Sequence, residues 1–310
     1  MQIYNDKKFL FIFVDGFGLG EKADTNPFAR AEMPFLRSLV GKRLLKGVYA
    51  EGDEILVKSI DAVLGVKGVP QSATGQTALL TGINAQGVLG FHMAAFPGKK
   101  LQEIISEHSL LKTITDMGGR ATFANAYTPK YFQMVKEKKR RHSVTTLSVL
   151  AAGLPFRMEK DLARGEAVYW DMTNSHLKGN YLQEVQIISP SEAGRRLARI
   201  GEHHNLTLFE TFKSDIIGHR MDYRKAVVFL QEIDDCVRGA WEEKSEDLSI
   251  IISSDHGNME DLSMKPHTQN PVPLIVLGRS APDFREAESI TDISRIIISL
   301  LEKKHQASIH

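Results

Sequence analysis

The sequence is poorest in cysteine: among 310 residues there is one, Cys236. That excludes an intrachain disulfide and a zinc–thiolate cluster within one chain, and it suits a reducing compartment. Cys236 falls in a helical pattern, as a small core or surface residue. An excess of either charge is also missing, with 39 basic against 38 acidic side chains and a formal net charge of +1. Nothing global therefore pulls the chain toward a nucleic-acid polymer or a membrane surface, and any anion binding must be local. Long apolar runs are absent where a leader would need one. Residues 1–8 are polar, and the run at 9–14 is far too short for a signal h-region or a membrane span, so a cytoplasmic protein without a membrane span is expected. No repeat, low-complexity stretch or clean linker stands out. At 42% hydrophobic residues the chain can bury a large core, and residues 1–310 are expected to form a single domain.

What is present is an alternation of strand and helix signals. Residues 9–14 form an unbroken run of β-formers, the pattern of a strand buried on both faces, as parallel sheets require. Further strands are predicted at 206–212, 248–253 and 274–277, with strand propensity at 55–66 and 120–126. Helical spacing is predicted over 33–40, 101–117, 130–139, 144–152 and 224–244, the last with a core-facing stripe of Val227, Leu230, Ile233, Val237 and Trp241. Ser189-Pro190-Ser191-Glu192 is a capping box that starts a helix to about residue 203. Thr291-Asp292 caps a last helix to about residue 304, followed by a frayed tail. The expected fold is α/β, with three layers around a mostly parallel central sheet.

The informative residues lie where these strands stop. Asp15 follows the first strand and is succeeded by glycines that let the backbone turn; Asp215 follows another, with His219 four residues on; Asp255-His256-Gly257-Asn258 follows a third. In open α/β sheets ligands bind at the carboxyl ends of the strands. Asp15 taken alone is equally a turn residue. Pro70-Gln71-Ser72-Ala73-Thr74-Gly75 reads as a loop delivering Ser72 to a helix start, as an N-cap or as a nucleophile at a positive helix end that would receive a phosphate. Downstream, His267 precedes Thr268-Gln269-Asn270-Pro271. His92, in a glycine-broken loop, is either a candidate anion contact or a solvated histidine; Gln76 and Arg220 are the other candidate substrate-binding side chains. Lys138-Lys139-Arg140-Arg141 is the one basic run, either a solvated helix end or a substrate contact.

Three aspartates and three histidines at strand ends and glycine turns, with Ser72 added, suit two divalent ions of the Zn²⁺ or Mn²⁺ type with mixed oxygen and nitrogen ligands. These residues resemble the alkaline phosphatase superfamily, in particular its branch of cofactor-independent phosphoglycerate mutase and phosphopentomutase. The likeness is carried by Val14-Asp15-Gly16, by Ser72-Ala73-Thr74-Gly75-Gln76 with Leu80-Thr81-Gly82, by Asp215 to His219, by Asp255-His256-Gly257-Asn258, and by His267-Thr268 with Asn270-Pro271-Val272-Pro273. It covers about the first 95 and the last 100 residues. The resemblance implies an alkaline-phosphatase-like fold, with one metal held by Asp15, Ser72, Asp255 and His256 and the other by Asp215, His219 and His267. It further implies that Ser72 attacks a small phosphorylated substrate and becomes a phosphoserine. Resemblance to the mutases leans toward manganese.

Hydrolysis is the expected outcome, because the segment between Ser72 and Asp215 reads largely as core elements and leaves room for at most a small lid at about 130–180. The mutase is the main alternative, and a nucleotide phosphodiesterase is another. Sulfatase chemistry is disfavoured, since Thr74 and Gln76 occupy the positions where sulfatases carry proline and arginine. A metal-stabilised binding protein without catalysis would not require the nucleophile.

Overall fold

The first apolar run becomes β1 (Lys8–Val14) in the computed structural model, which describes residues 7–180 and 185–302. Its side chains alternate: Phe9, Phe11 and Phe13 enter one core, Leu10, Ile12 and Val14 the other. Each fully buried side chain of this kind stabilises the fold by about 1.5–3 kcal/mol, so a strand without a polar face belongs in the middle of a three-layer structure.

Around it lie β2 (Ala50–Glu51), β3 (Ile55–Ile60), β4 (Ala121–Phe123), β5 (Leu206–Thr211), β6 (Leu248–Ser253) and β7 (Val272–Leu277), in the order β2-β3-β7-β6-β1-β5-β4. β1 pairs in parallel with both β5 and β6, placing Phe9 opposite Leu206 on one side and Ser249 on the other; β4 runs parallel to β5. β7 runs antiparallel to β6, and β3 antiparallel to β7, which turns β3 back into the common direction. The mostly parallel sheet is therefore as expected.

The Ser72–Thr81, Lys99–His108 and Ile290–Glu302 helices cover the phenylalanine face; Pro190–Gly201 and Tyr223–Glu243 cover the other. The last two pack backbone to backbone. A methyl group on Gly194 would run into the Cys236 carbonyl, and one on Gly239 into the Ser191 carbonyl. Cys236 itself is fully buried between them, and burial pushes its thiol up to about 12, leaving it unreactive. A small third cluster of Ala126, Leu162, Ala167, Tyr169 and Leu177 lies apart from both main cores.

Several boundaries differ from expectation, each for a local reason. The helix expected over 101–117 is two, Lys99–His108 and Leu110–Asp116, because buried Ser109 adopts extended backbone and its hydroxyl accepts the Lys112 N–H to cap the second. The strand expected to reach 66 stops at Ile60, where the Asp61 carboxylate accepts the Val63 and Leu64 amides and closes a turn. The strand expected over 120–126 ends at Phe123, and the side chain of Asn125 takes over by bonding both backbone groups of Glu210. The tail beyond residue 302 lies outside the described residues. Among the described residues no helix is long and apolar enough to cross a membrane.

Candidate metal centre

Because β5, β1 and β6 are adjacent and parallel, their carboxyl ends share one edge of the sheet. Asp15 follows β1 directly, Asp255 lies two residues past β6, and Asp215 lies in the first turn of the Lys213–Arg220 helix that follows β5. Gly16 makes the convergence possible: its φ of +71° is open to glycine, and a Cβ there would press on the Asp215 side chain at 3.0 Å. His267 is brought in by a bridge between Gly257 and Thr268, whose N–H donates to the Gly257 carbonyl at 3.0 Å.

Two groups of donor atoms result, Asp15 with Asp255 and His256, and Asp215 with His256 and His267. The His256 Nε2 lies 3.3 Å from Asp15 Oδ1, 3.5 Å from Asp255 Oδ2 and 3.2 Å from Ser72 Oγ. In the second group Asp215 reaches His267 Nε2 at 3.4 Å and His219 Nε2 at 3.3 Å, the aspartate and His219 sharing one helix face at i, i+4 spacing.

Hydrogen bonds behind the rings orient them. The Nδ1 atom faces a backbone carbonyl in each case: Pro70 for His267 at 3.0 Å, Lys265 for His219 at 3.0 Å, and Gly257 for His256 at 3.4 Å. A carbonyl only accepts, so each proton belongs on Nδ1 and each Nε2 turns a lone pair into the site, the arrangement of histidine metal ligands. The Nε2 atoms of His219 and His267 then lie 3.2 Å apart with no proton between them. Among the described residues Asp15 Oδ1 and both carboxyl oxygens of Asp255 are buried without any hydrogen-bond partner. Facing lone pairs and orphaned carboxylate oxygens at the same spot are each costly, and a divalent cation relieves both. The donor set therefore fits the metals that the sequence pattern implies.

The electrostatics carry the same signature. Burial raises the Asp15 carboxyl well above its ordinary value, helped by the charges of Asp255 and Asp215. Burial and the Asp215 charge push Asp255 up to about 8. Burial also lowers His256 to about 3, reinforced by His267. Asp215 goes the other way: burial opposes its charge, but its contacts with His267 and His256 and a 2.6 Å hydrogen bond donated by the Asn258 amide outweigh it and hold the carboxyl down to about 2.

Ser72 is the first residue of its helix, after Gln71 in extended backbone at the N-cap position. The N-cap alternative for Ser72 is thus overturned: its hydroxyl makes no cap bond and points instead to His256 Nε2. Gly75 lets the helix approach, since a Cβ there would lie 2.7 Å from the Asp255 carbonyl oxygen. Gln76 is buried and donates to Asp15 Oδ2 at 3.1 Å, so it steadies a donor residue while also lining the cavity above Ser72. His92 is tied through Nε2 to the Val66 carbonyl at 3.0 Å, and it is absent from the lining of that cavity. Arg220 lines a neighbouring groove with Trp170 and Lys213. From the basic run, Arg140 lies over the Tyr131 ring at 5.0 Å and lines the nucleophile's cavity, whereas Arg141 stacks on Phe96.

Two glutamates escaped the sequence reading. Glu260 is buried and ties the metal-side loops together, accepting from the amides of Gly18 and Asn258, the hydroxyl of Thr268 and the side-chain amide of Asn270. Glu210 lies inside β5 and lines the cavity with Asp15 and Ser72; burial raises it to about 7 although Thr145 donates a 2.7 Å hydrogen bond to one oxygen. A charged residue inside the strand-forming Leu206–Thr211 run was the available signal.

A family model described as the metalloenzyme superfamily matches residues 7–305. The 2,3-bisphosphoglycerate-independent phosphoglycerate mutase of Yersinia pestis (strain Pestoides F) is 33% identical over 140 residues, which cover 42% of this chain and 27% of that protein. The match thus spans about a quarter of that relative's length. In fold, the chain is similar to the phosphoglycerate mutase of Leishmania mexicana, determined at low cobalt concentration, with a TM-score of 0.60 at 9% identity, over 100% of this chain and 99% of that one. It is also similar to the cold-active alkaline phosphatase of a psychrophilic Shewanella, with a TM-score of 0.55 at 12% identity, over 96% and 100%. These likenesses speak to the fold, and the reach of the family match over residues 7–305 decides membership: the chain belongs to the metalloenzyme superfamily, with the alkaline-phosphatase fold.

Proposed function

We propose that this protein is a phosphomonoesterase that uses two divalent ions and a phosphoserine at Ser72. The observation that carries the reading is the position of the Ser72 hydroxyl, 3.2 Å from His256 Nε2 at a helix start and beside buried carboxylate oxygens that make no hydrogen bond among the described residues. Asp15, Ser72, Asp255 and His256 would hold one ion, and Asp215, His219 and His267 the other, manganese or zinc in each case. When bound, such ions lower the pKa of a neighbouring hydroxyl and offset the charge of phosphoryl oxygens.

The chain's own groups do the rest. The helix start at Ser72 places backbone N–H dipoles where the phosphoryl charge collects. Ser72 Oγ gives up its proton and forms a bond to phosphorus while the bond from phosphorus to the substrate alcohol breaks; the departing alcohol takes up a proton. Water then cleaves the serine ester, releasing inorganic phosphate and restoring the hydroxyl. A small lid within about residues 130–180, the stretch that carries most of the small third cluster, would cover this site, while Val144 and Val149 of the same stretch pack into the main core. An intramolecular phosphotransferase is the second reading, favoured by the names of the relatives.

The test is phosphate release from a chromogenic monoester and from its diester, in metal-stripped protein resupplied with Mn²⁺ or Zn²⁺, with Ser72→Ala as control. Ser72-dependent release from the monoester is expected. Preference for the diester would make the protein a phosphodiesterase. Isomerisation of 3-phosphoglycerate without phosphate release would favour the mutase.

A further inference from the structure

The cavity above Ser72 holds about 280 Å³ and runs from Asp15, Ser72 and Asp215 outward to aromatic side chains. Tyr127, Tyr131, Trp170 and Phe212 all line it and are all only half-buried. Trp170 and Phe212 stack face to face at 4.4 Å with 21° between their planes, so each covers one face of the other and the pair has only its outer ring face left to receive a further ring. A phosphorylated aliphatic acid would leave the outer face of that stack wet, and aromatic side chains bury 150–250 Å² each when covered. The volume approaches the lower end of the roughly 300–1,000 Å³ typical of sites for drug-sized ligands.

Deeper in the same cavity lies Glu210, 7% exposed. One of its carboxyl oxygens accepts from Thr145, and the other makes no hydrogen bond among the described residues. Asn125 holds its backbone on both sides, so the carboxyl is fixed in place. Such a group is an acceptor waiting for a donor on the ligand.

We propose, building on the phosphomonoesterase reading, that the leaving group is a nucleoside: its base extends the Trp170–Phe212 stack at its outer face, and its exocyclic amine donates to Glu210. Stacking of this kind recognises any base face, and the carboxylate selects bases that carry an amino group over those that do not.

Adenosine, cytidine and guanosine 5′-monophosphates and ribose 5-phosphate share the same reacting bond to a primary alcohol, so they differ only in the base. With metal-loaded protein, kcat/KM for the best of the three nucleotides should exceed that for ribose 5-phosphate at least about tenfold. Trp170→Leu should collapse that ratio toward one, and Glu210→Gln should narrow the preference over uridine 5′-monophosphate. Binding is read separately by titrating the corresponding nucleosides, without phosphate, into Trp241→Phe protein and following Trp170 fluorescence. Saturable quenching is expected.

Nucleoside binding without phosphate release from any ester would uphold the base site and overturn the phosphomonoesterase reading. Equal turnover of ribose 5-phosphate and all three nucleotides, with no quenching, would overturn the base site and leave that reading intact. Absence of both binding and turnover overturns the base site.

Discussion

His267 shows how much a single side chain can carry here. Its Nδ1 bond to Pro70 ties the metal-side loop to the peptide just before the nucleophile, and its Nε2 faces Asp215. His267→Ala should therefore lower bound metal from two equivalents toward one in elemental analysis; retention of both would contradict the assignment. Glu210 makes a different prediction. Its folded-state value of about 7 against 4.5 unfolded means that the folded state keeps the proton longer, so stability falls as pH rises through that window. In metal-free protein, Glu210→Gln should be neutral at pH 4 and stabilising by about 3 kcal/mol above pH 7, read by urea denaturation at both pH values. A pH-independent effect would remove the buried-charge explanation. At this scale the aspartates and histidines were legible because each interrupts or follows an apolar run at a glycine or a turn. Glu210 and Glu260 were not, because their meaning depends on a cavity and on loops brought together from distant parts of the chain. His92 was legible only as either an anion contact or a solvated histidine; its Nε2 meets the Val66 carbonyl, and it is absent from the lining of the cavity above Ser72.

Among the elements, the Pro190–Gly201 and Tyr223–Glu243 helices sit closest, with Gly194 against the Cys236 carbonyl. Gly194→Ala sets two effects against each other. Helix propensity favours alanine by about 1 kcal/mol, whereas a methyl forced onto a backbone carbonyl in a close-packed interface costs about 1–3 kcal/mol. Backbone cannot rotate aside, so the clash should win and the urea midpoint should fall; a rise would show that the helices separate easily. Both helices were legible from capping residues and periodicity, but the closeness of their approach was not. A glycine inside a helix only reveals its purpose when the facing helix is known. The split at Ser109 has the same origin: helical spacing runs straight through it, and only its burial and extended backbone turn a serine into a cap.

For the whole molecule, metal and fold should be linked. A ligand that binds only the folded state at a hundred times its dissociation constant adds about 2.7 kcal/mol, so chelation should lower the Tm by several degrees. An unchanged Tm after verified stripping would separate the donor cluster from any metal role. The loss should come in two steps, because the His219 side chain is 48% exposed whereas Asp255 and His256 are fully buried. The α/β architecture was legible because strands without a polar face have no other home. The order of the strands was not, since pairing lies in the fold rather than in any local pattern.

That order has a consequence for how the chain is made. β1 leaves the ribosome well before its partners, residues 206–211 and 248–253. Until some 200 further residues have been synthesised, Phe-Leu-Phe-Ile-Phe-Val has nothing to pair with, and its second partner comes some 40 residues later, so it is a sticky segment with no charge inside it. The nascent chain is expected to depend on a holdase chaperone, and the donor residues cannot gather until the last central strand is in place.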